Sequence, residues 1–429
     1  MVLKPILFAS LMAAATFSAA GAATLTPDKY VAVMRHGVRP QTNSEDLLHY
    51  STQAWPVWDT ADGMLTAHGA QAAGKLGAWE VSMLRDKGLV PQSGCPAPGD
   101  VFGWANGSVK RTIDTGNTVL SAMFPGCGLS VGFNKTADVD VLYAASDAAL
   151  GAIDVETAKA AILDAAGGSF DTMKAKAQPL LKELDAVLGC ETSACSMVER
   201  PWTMEVKEPK NGKPASVSVK GPLTEAAAVA QVFLLQYAND FPMNEVAFGK
   251  LDGAQDIIRL SALRQMKYDI SNRVPYVARR DASNFLNQIL LAVAKDPSDA
   301  TVSDGPPNAR FLLFMASDTQ QAEVAAMLGL HWHLPPYVDD ETPPTGALSF
   351  ERLHDASGRA YVRLGFTAPT LDQIRNASVI DAASPPVQAS VSIPGCETET
   401  VEGACPLDRF LTIARASLDM SAVGEQSYR

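Results

Sequence analysis

Tyr30-Val31-Ala32-Val33-Met34, followed at once by Arg35-His36-Gly37-Val38-Arg39-Pro40, is the stretch that decides the reading of the chain. The first five residues are apolar and β-branched at two positions, the pattern of a short buried strand. Charge then arrives abruptly, on a loop directly after the strand. The same grammar recurs downstream. Residues 310–316 (RFLLFMA) form an apolar run of strand length, Ser317-Asp318-Thr319 follows, and 320–329 has a helical pattern. Residues 100–105 predict a third strand, with a helix from Val109 to Met123 and Arg111 near its start. Such strand-loop-helix units predict a doubly wound α/β sheet with helices on both faces. In an open sheet of this kind, ligands bind at the carboxyl ends of the strands.

Working outward, 64–89 predicts a long helix with Thr66 as N-cap and Gly88 as the stop. From 138 to 275 the texture changes to Ala-rich helical segments at 155–166, 170–188, 223–239 and 254–272. Between them 199–221, broken by Pro and Gly, reads as a loop or small hairpin. This predicts an α/β core made of 24–137 and 276–429, carrying an inserted, mainly α-helical domain over 138–275 that covers the substrate. Residues 281–295 read as a helix, and 347–352 with 359–367 as a hairpin on the sheet edge.

Residues 1–23 place Lys4 before an apolar stretch that ends in small residues, with Ala20-Gly21-Ala22 fitting a secretory cleavage site. The rival, a membrane anchor, is disfavoured by Pro5 and Ser10 inside a short apolar run. A signal peptide implies a periplasmic or secreted protein with no membrane association after cleavage. No later stretch reaches about 18 uncharged apolar residues. Asp and Glu outnumber Lys and Arg by 47 to 35, for a formal charge of -12. A chain this acidic offers nucleic acid or anionic lipid no overall attractive field. An anionic substrate would need cations concentrated in a pocket. Six cysteines remain after the signal: Cys95, Cys127, Cys190, Cys195, Cys396 and Cys405. In an oxidising compartment they read as disulfides, with fifteen connectivities open and sequential pairing the simplest. Zinc is the rival, but C-x2-C spacing is missing; no metal and no cofactor is expected.

The Arg-His-Gly-x-Arg loop has specific chemistry. Arg35 and Arg39 can grip phosphate oxygens in bidentate fashion. A neutral His36 between them can attack phosphorus. Arginines stabilise charge on the equatorial oxygens, and a carboxylic acid such as Asp318 can protonate the leaving alkoxide.

Val33-Met34-Arg35-His36-Gly37-Val38-Arg39-Pro40 resembles the signature of the histidine acid phosphatases, closest to the bacterial periplasmic branch containing phytases and glucose-1-phosphatases. The resemblance runs through nearly the whole mature chain. It is carried further by Leu65-Thr66-x-x-Gly69, by Ala105-Asn106 with Lys110-Arg111-Thr112 and Thr115-Gly116, by Phe233-Leu234-Leu235-Gln236-Tyr237, and by Pro343-Pro344-x-Gly346-Ala347-Leu348-x-Phe350-Glu351-Arg352. It implies that His36 is the nucleophile, Asp318 the proton donor, and Arg35, Arg39 and Arg111 the phosphate ligands. It also implies the cysteine pairs 95–127, 190–195 and 396–405, a small phosphorylated substrate, and no metal.

Four departures from the family pattern bear on activity. The second motif normally reads His-Asp; here it is Ser317-Asp318, so Ser317 would donate a neutral hydrogen bond to phosphate in place of an imidazole. Losing a charge-assisted bond costs about 1.5–3 kcal/mol, or about one to two decades in rate. This predicts a slower enzyme, and its rival is a degenerate phosphate-ligand-binding protein with little turnover. His331 and His333 are alternative sources of an imidazole, although both read first as loop residues. Finally, the positions where phytase-type members carry extra charge read Asn43 (beside Thr42), Gln231 and Asp281. With Thr42, Asn43 and Gln231 as substrate contacts, the cations for a hexaphosphate are depleted, and a smaller sugar phosphate is the expected substrate.

Overall fold

Strand β1 (Thr26–Arg35) lies in the middle of the sheet and is buried along its last seven residues. The computed structural model describes residues 24–135, 138–299 and 305–428; the signal-peptide reading of 1–23 lies outside the described residues. In chain order the elements are α1 (Ser44–Leu47), α2 (Ala67–Asp86), β2 (Val101–Ala105), α3 (Lys110–Met123), β3 (Gly132–Phe133), α4 (Val155–Ala165), α5 (Phe170–Leu188), β4 (Thr203–Lys207), β5 (Ser216–Lys220), α6 (Pro222–Ala238), α7 (Ala254–Asp269) and α8 (Pro275–Ala294). They continue with β6 (Phe311–Ala316), α9 (Asp318–Leu328), β7 (Ala347–His354), β8 (Ala360–Ala368), α10 (Leu371–Arg375), β9 (Val387–Val391), β10 (Cys405–Pro406) and α11 (Leu407–Ala416).

The main sheet has eight strands in the order β10-β8-β7-β1-β6-β2-β3, with β9 also pairing to β8. β1, β6, β2 and β3 run parallel; β7 and β8 are antiparallel to their neighbours. Strand alternation assigns the two faces. Val31, Val33, Leu312 and Phe314 pack with Phe285 and Ile289 of α8 and Val324 of α9. Ala32, Met34, Leu313 and Met315 pack with Ala73 and Leu76 of α2 and Val119 and Leu120 of α3. Period-two burial on both faces is why β1 and β6 read as unbroken apolar runs.

The hairpin expected on the sheet edge sits further in. β7 lies between β1 and β8, and β8 carries both β9 and β10 outside it. The two outer strands are short, and β10 begins at the half-cystine Cys405. The 199–221 segment does form a hairpin, β4–β5, which pairs with itself alone. Helix α8 starts at Pro275, six residues ahead of the expected start, with proline in its first turn.

Helices α4 to α7 lie outside the sheet. Even so, Leu184 of α5, Phe233 of α6 and Leu260 of α7 belong to the same buried cluster as Val31 and Phe314 of the sheet. α6 is buried almost all round, consistent with its run Val232-Phe233-Leu234-Leu235. The three disulfides are Cys95–Cys127, Cys190–Cys195 and Cys396–Cys405, as the resemblance implied. No described helix is long and apolar enough to cross a membrane.

Candidate active site

The register of β1 against β6 assembles the site. Arg35 is the partner of Ala316, and the backbone N–H of His36 donates to the Ala316 carbonyl at 3.1 Å. The residues that follow each strand, His36 and Ser317-Asp318, therefore emerge side by side at the carboxyl edge. On the other flank the Arg35 N–H donates to the Gly346 carbonyl at 2.9 Å, and Thr345 N–H donates to the His36 carbonyl at 3.3 Å. Gln321 of α9 donates to both Val33 O (2.8 Å) and Gly346 O (2.7 Å), tying the helix after β6 to the strands around β1.

Gly37 and Gly69 let the signature loop sit against α2. A Cβ at Gly69 would fall 2.5 Å from the Val38 carbonyl oxygen, and one at Gly37 would fall 2.8 Å from Leu65 Cδ1. Thr66 caps α2 as expected, accepting from Gly69 N–H at 2.8 Å. The loop is held to α3 by Thr115. Its Oγ1 accepts from Gly37 N–H at 3.1 Å and donates to the Arg111 carbonyl at 2.7 Å.

His36 is 1% exposed. Its Nδ1 lies 2.9 Å from the Gly37 carbonyl, which can only accept, so Nδ1 carries the proton. Nε2 is then the lone-pair nitrogen, and it has no partner within the protein. Burial first, and then Arg111, Arg39 and Arg35, push the imidazole pKa well below its ordinary value. The ring is neutral, with a free lone pair, among three guanidiniums.

Arg35 is fully buried. It donates to the Thr342 carbonyl, approaches Gln231 Oε1 at 3.3 Å, and lies 3.1 Å from Asp318 Oδ2. Burial and the neighbouring Arg111 lower the pKa of Arg39 to about 9, and burial lowers that of Arg111. The Nε atoms of Arg35, Arg39 and Arg111 are all buried without a partner within the protein. Three guanidinium nitrogens without a protein partner, on arginines whose charge reaches His36, together with its bare imidazole nitrogen, form a set of groups suited to a tetrahedral oxyanion.

Asp318 is the first residue of α9. Burial raises its carboxyl pKa, but Arg35, Arg264 and Arg39 outweigh that and hold it well below the usual range. Arg264 was not anticipated. It reaches in from α7, with Nη2 2.5 Å from Asp318 Oδ2 and Nη1 2.6 Å from Glu341 Oε1. The signal was present in the sequence: Ile257, Ser261, Arg264 and Tyr268 form one helical stripe, and all four are buried.

Ser317 departs from the role expected of it. It is the N-cap of α9, with a complete capping box. Its Oγ accepts from Thr319 N–H at 3.2 Å and donates its one proton to Gln320 Oε1 at 2.7 Å. The hydroxyl has no second proton for a phosphate oxygen. Nor do the downstream histidines replace the missing imidazole. His331 and His333 are 72% and 75% exposed and pair with Asp340 and Asp339, each at 2.6 Å.

Thr42, Asn43 and Gln231 line one 160 Å³ cleft with Arg39, Gln41, Asp46, Tyr50 and Leu235. Asn43 also caps the short α1, accepting from Glu45 N–H at 3.2 Å. Gln231 is 9% exposed, and its Nε2 has no partner within the protein. The walls of this cleft carry one cation, Arg39, and one acid, Asp46. Asp281 points elsewhere, accepting from Ser146 N–H at 2.7 Å. Among the described residues no group of three or more His, Cys, Asp or Glu is placed to hold a metal ion.

An imidazole, three arginines and a carboxyl gathered at one sheet edge suit a phosphomonoester hydrolase. Family comparison agrees: the histidine phosphatase superfamily (branch 2) profile matches residues 28–367, and the chain belongs to that family. Phytase AppA of Escherichia coli is 29% identical over 401 residues, covering 90% of each chain. A glucose-1-phosphatase of Salmonella typhimurium is 27% identical over 422 residues, covering 95% of this chain and 97% of its own. Among solved structures, a Hafnia alvei phytase with tartrate superposes with a TM-score of 0.85 at 27% identity, covering 93% of this chain and 99% of that one. A Klebsiella phytase gives 0.82 at 28%, covering 95% and 99%.

Proposed function

We propose that the protein is a periplasmic or secreted acid phosphatase that works through a phosphohistidine intermediate, and that its preferred substrates are small phosphomonoesters such as sugar phosphates. Arg35, Arg39 and Arg111 bind the phosphoryl oxygens. His36 Nε2 attacks phosphorus as the ester P–O bond breaks, and Asp318 delivers its proton to the leaving oxygen. The same carboxylate then takes a proton from the water that attacks the phosphohistidine, which frees inorganic phosphate and restores His36. Residues 138–275 cover the substrate from the side opposite the sheet.

The observation that carries this reading is the tautomer of His36, fixed by Gly37 so that Nε2 is unprotonated and without a protein partner within the electrostatic reach of Arg35, Arg39 and Arg111. In the free site those cations keep Asp318 ionised. A bound phosphate anion offsets them and returns the carboxyl towards protonation, which ties turnover to acid pH. The cleft beside Arg39 supports the substrate preference. Its amides and hydroxyls suit a neutral polyol, and Asp46 opposes a second phosphate.

The test is phosphate release from p-nitrophenyl phosphate between pH 3 and 7 by the wild type and His36→Ala, with acid- and base-quenched samples assayed for phosphohistidine. Activity in acid, absent in the variant, with a base-stable and acid-labile phosphoprotein, is the expected outcome. Turnover that survives in His36→Ala would overturn it.

A further inference from the structure

Arg264 belongs to none of the sequence motifs that mark this site, yet it approaches Asp318 Oδ2 more closely (2.5 Å) than Arg35 does (3.1 Å). The side chain is 4% exposed and fully engaged. Nη1 is anchored on Glu341, itself wholly buried, whose Oε1 also accepts from Thr342 N–H at 3.1 Å. Nη2 holds Asp318 Oδ2 and lies 3.2 Å from Thr342 Oγ1 and 3.4 Å from the Tyr268 hydroxyl. The guanidinium carbon stands 4.7 Å from the Tyr268 ring centre. Thr342 joins the two cations that flank the acid, since its carbonyl accepts from Arg35 and its hydroxyl meets Arg264.

Asp318 is thus gripped from two sides, and the two grips differ. Arg35 belongs to the phosphate receptor, with Nε still unsatisfied. When phosphate enters, Arg35 has a stronger anion to bind. Arg264 is pinned through Glu341 to the chain ahead of β7 and stays on the acid. The neighbouring position, where the family motif supplies a cationic ring, holds Ser317, which is committed to Gln320. We propose that Arg264 is the positioning residue of this active site: from α7 it orients the Asp318 carboxyl towards the leaving oxygen, in place of the cation missing at 317.

This rests on the phosphohistidine reading above. The step it serves is proton transfer: as the ester P–O bond breaks, the O–H of Asp318 passes its proton to the leaving oxygen, and the carboxylate so formed is held by Arg264. The ionisable groups around Asp318 are Arg35 from β1, His36 and Arg39 from the signature loop, Arg111 from α3, and Arg264, Lys267 and Tyr268 from α7. Arg264 is the one that contacts Asp318 while also being anchored on a buried acid. Removing it raises the proton affinity of Asp318 and loosens its aim.

Leaving-group dependence tests the proposal. p-Nitrophenolate departs with little help from an acid, whereas an alkoxide needs the proton. Arg264→Met and Arg264→Lys would be compared with the wild type on p-nitrophenyl phosphate and glycerol 2-phosphate, between pH 3 and 8. The expected result for Arg264→Met is a loss of at least about tenfold in kcat on the alkyl ester, of the order general acid catalysis supplies. Its loss on the aryl ester should stay under about threefold, and the alkaline limb of the alkyl profile should move to higher pH. Arg264→Lys should recover part of the loss. Equal losses on both esters with an unmoved limb would reduce Arg264 to a structural residue and overturn the proposal. Circular dichroism and melting of each variant exclude misfolding as the cause. A wild type that forms no phosphohistidine would instead sink the underlying mechanism, an outcome the quench assay reads separately.

Discussion

Thr115 and Gly37 are joined by a single hydrogen bond of 3.1 Å that couples the loop after β1 to helix α3. The threonine hydroxyl takes the amide of the loop bearing His36 and gives its own proton to the carbonyl of Arg111. One buried side chain therefore sets the nucleophile's loop against the helix that carries the third arginine. Thr115→Val keeps the shape and deletes both bonds, stranding a buried N–H at a cost of about 1–3 kcal/mol. Thermal melting should show that loss, and kcat on p-nitrophenyl phosphate should fall more than the binding of inorganic phosphate. A variant as stable and as fast as the wild type would show the link to be idle.

Replacing His36 separates chemistry from binding. His36→Ala should lose about three orders of magnitude or more in kcat, as loss of a nucleophile does elsewhere. It should still bind inorganic phosphate, because the three arginines remain. Calorimetry of phosphate binding beside the rate assay checks both halves.

Ser317→Ala tests whether the residue before the acid serves the helix or the substrate. The lost cap should cost about 0.5–2 kcal/mol in stability. KM for p-nitrophenyl phosphate should change less than about threefold, since the hydroxyl proton is already given to Gln320. A tenfold rise in KM would restore Ser317 as a phosphate ligand.

Glu80 carries a pH signature in stability. It is 4% exposed, its Oε2 has no partner within the protein, and burial pushes its carboxyl up to about 8 from the ordinary 4.5. Below about pH 4.5 it is protonated both folded and unfolded, and nothing is lost. Between there and about pH 8 only the folded state keeps the proton, so stability falls as pH rises. Glu80→Gln should therefore be more stable than the wild type at pH 8, by up to roughly 5 kcal/mol, with the gap closing towards pH 4.5. A pH-independent difference would contradict the assignment.

Substrate preference gives a further measurement. Wild-type kcat/KM should be higher for glucose 1-phosphate than for phytate, and Asn43→Lys should raise the phytate value several-fold by placing a cation on the wall that bears Asp46. Efficient stepwise hydrolysis of phytate by the unmodified enzyme would refute the preference.

The sheet and the carboxyl edge were legible because β1 and β6 are apolar on both faces and then break into charge, at His36 and at Asp318. The three cystines were legible through the family resemblance. Arg264 was not, because α7 reads as one more helix with mixed charges; an arginine inside its buried stripe was the overlooked cue. Ser317 was misread because the start of α9 was placed at 320. Starting the helix at 318 turns Ser317 and Gln320 into a capping pair, and the hydroxyl ceases to be available. The edge strands β3 and β10 were missed for want of length, each being two residues long.

The cleft beside Arg39 is walled by the segment Gln41–Tyr50 and by Gln231 and its neighbours on α6, none of which supplies the nucleophile or the acid. On the proposed function, recognition of the departing alcohol and transfer of the phosphoryl group have separate sequence addresses. An exchange of the two wall segments together, between this protein and a relative, would carry preference for the alcohol across while leaving His36 and Asp318 in their native setting. Swapping either wall alone would pair halves that were never shaped to each other.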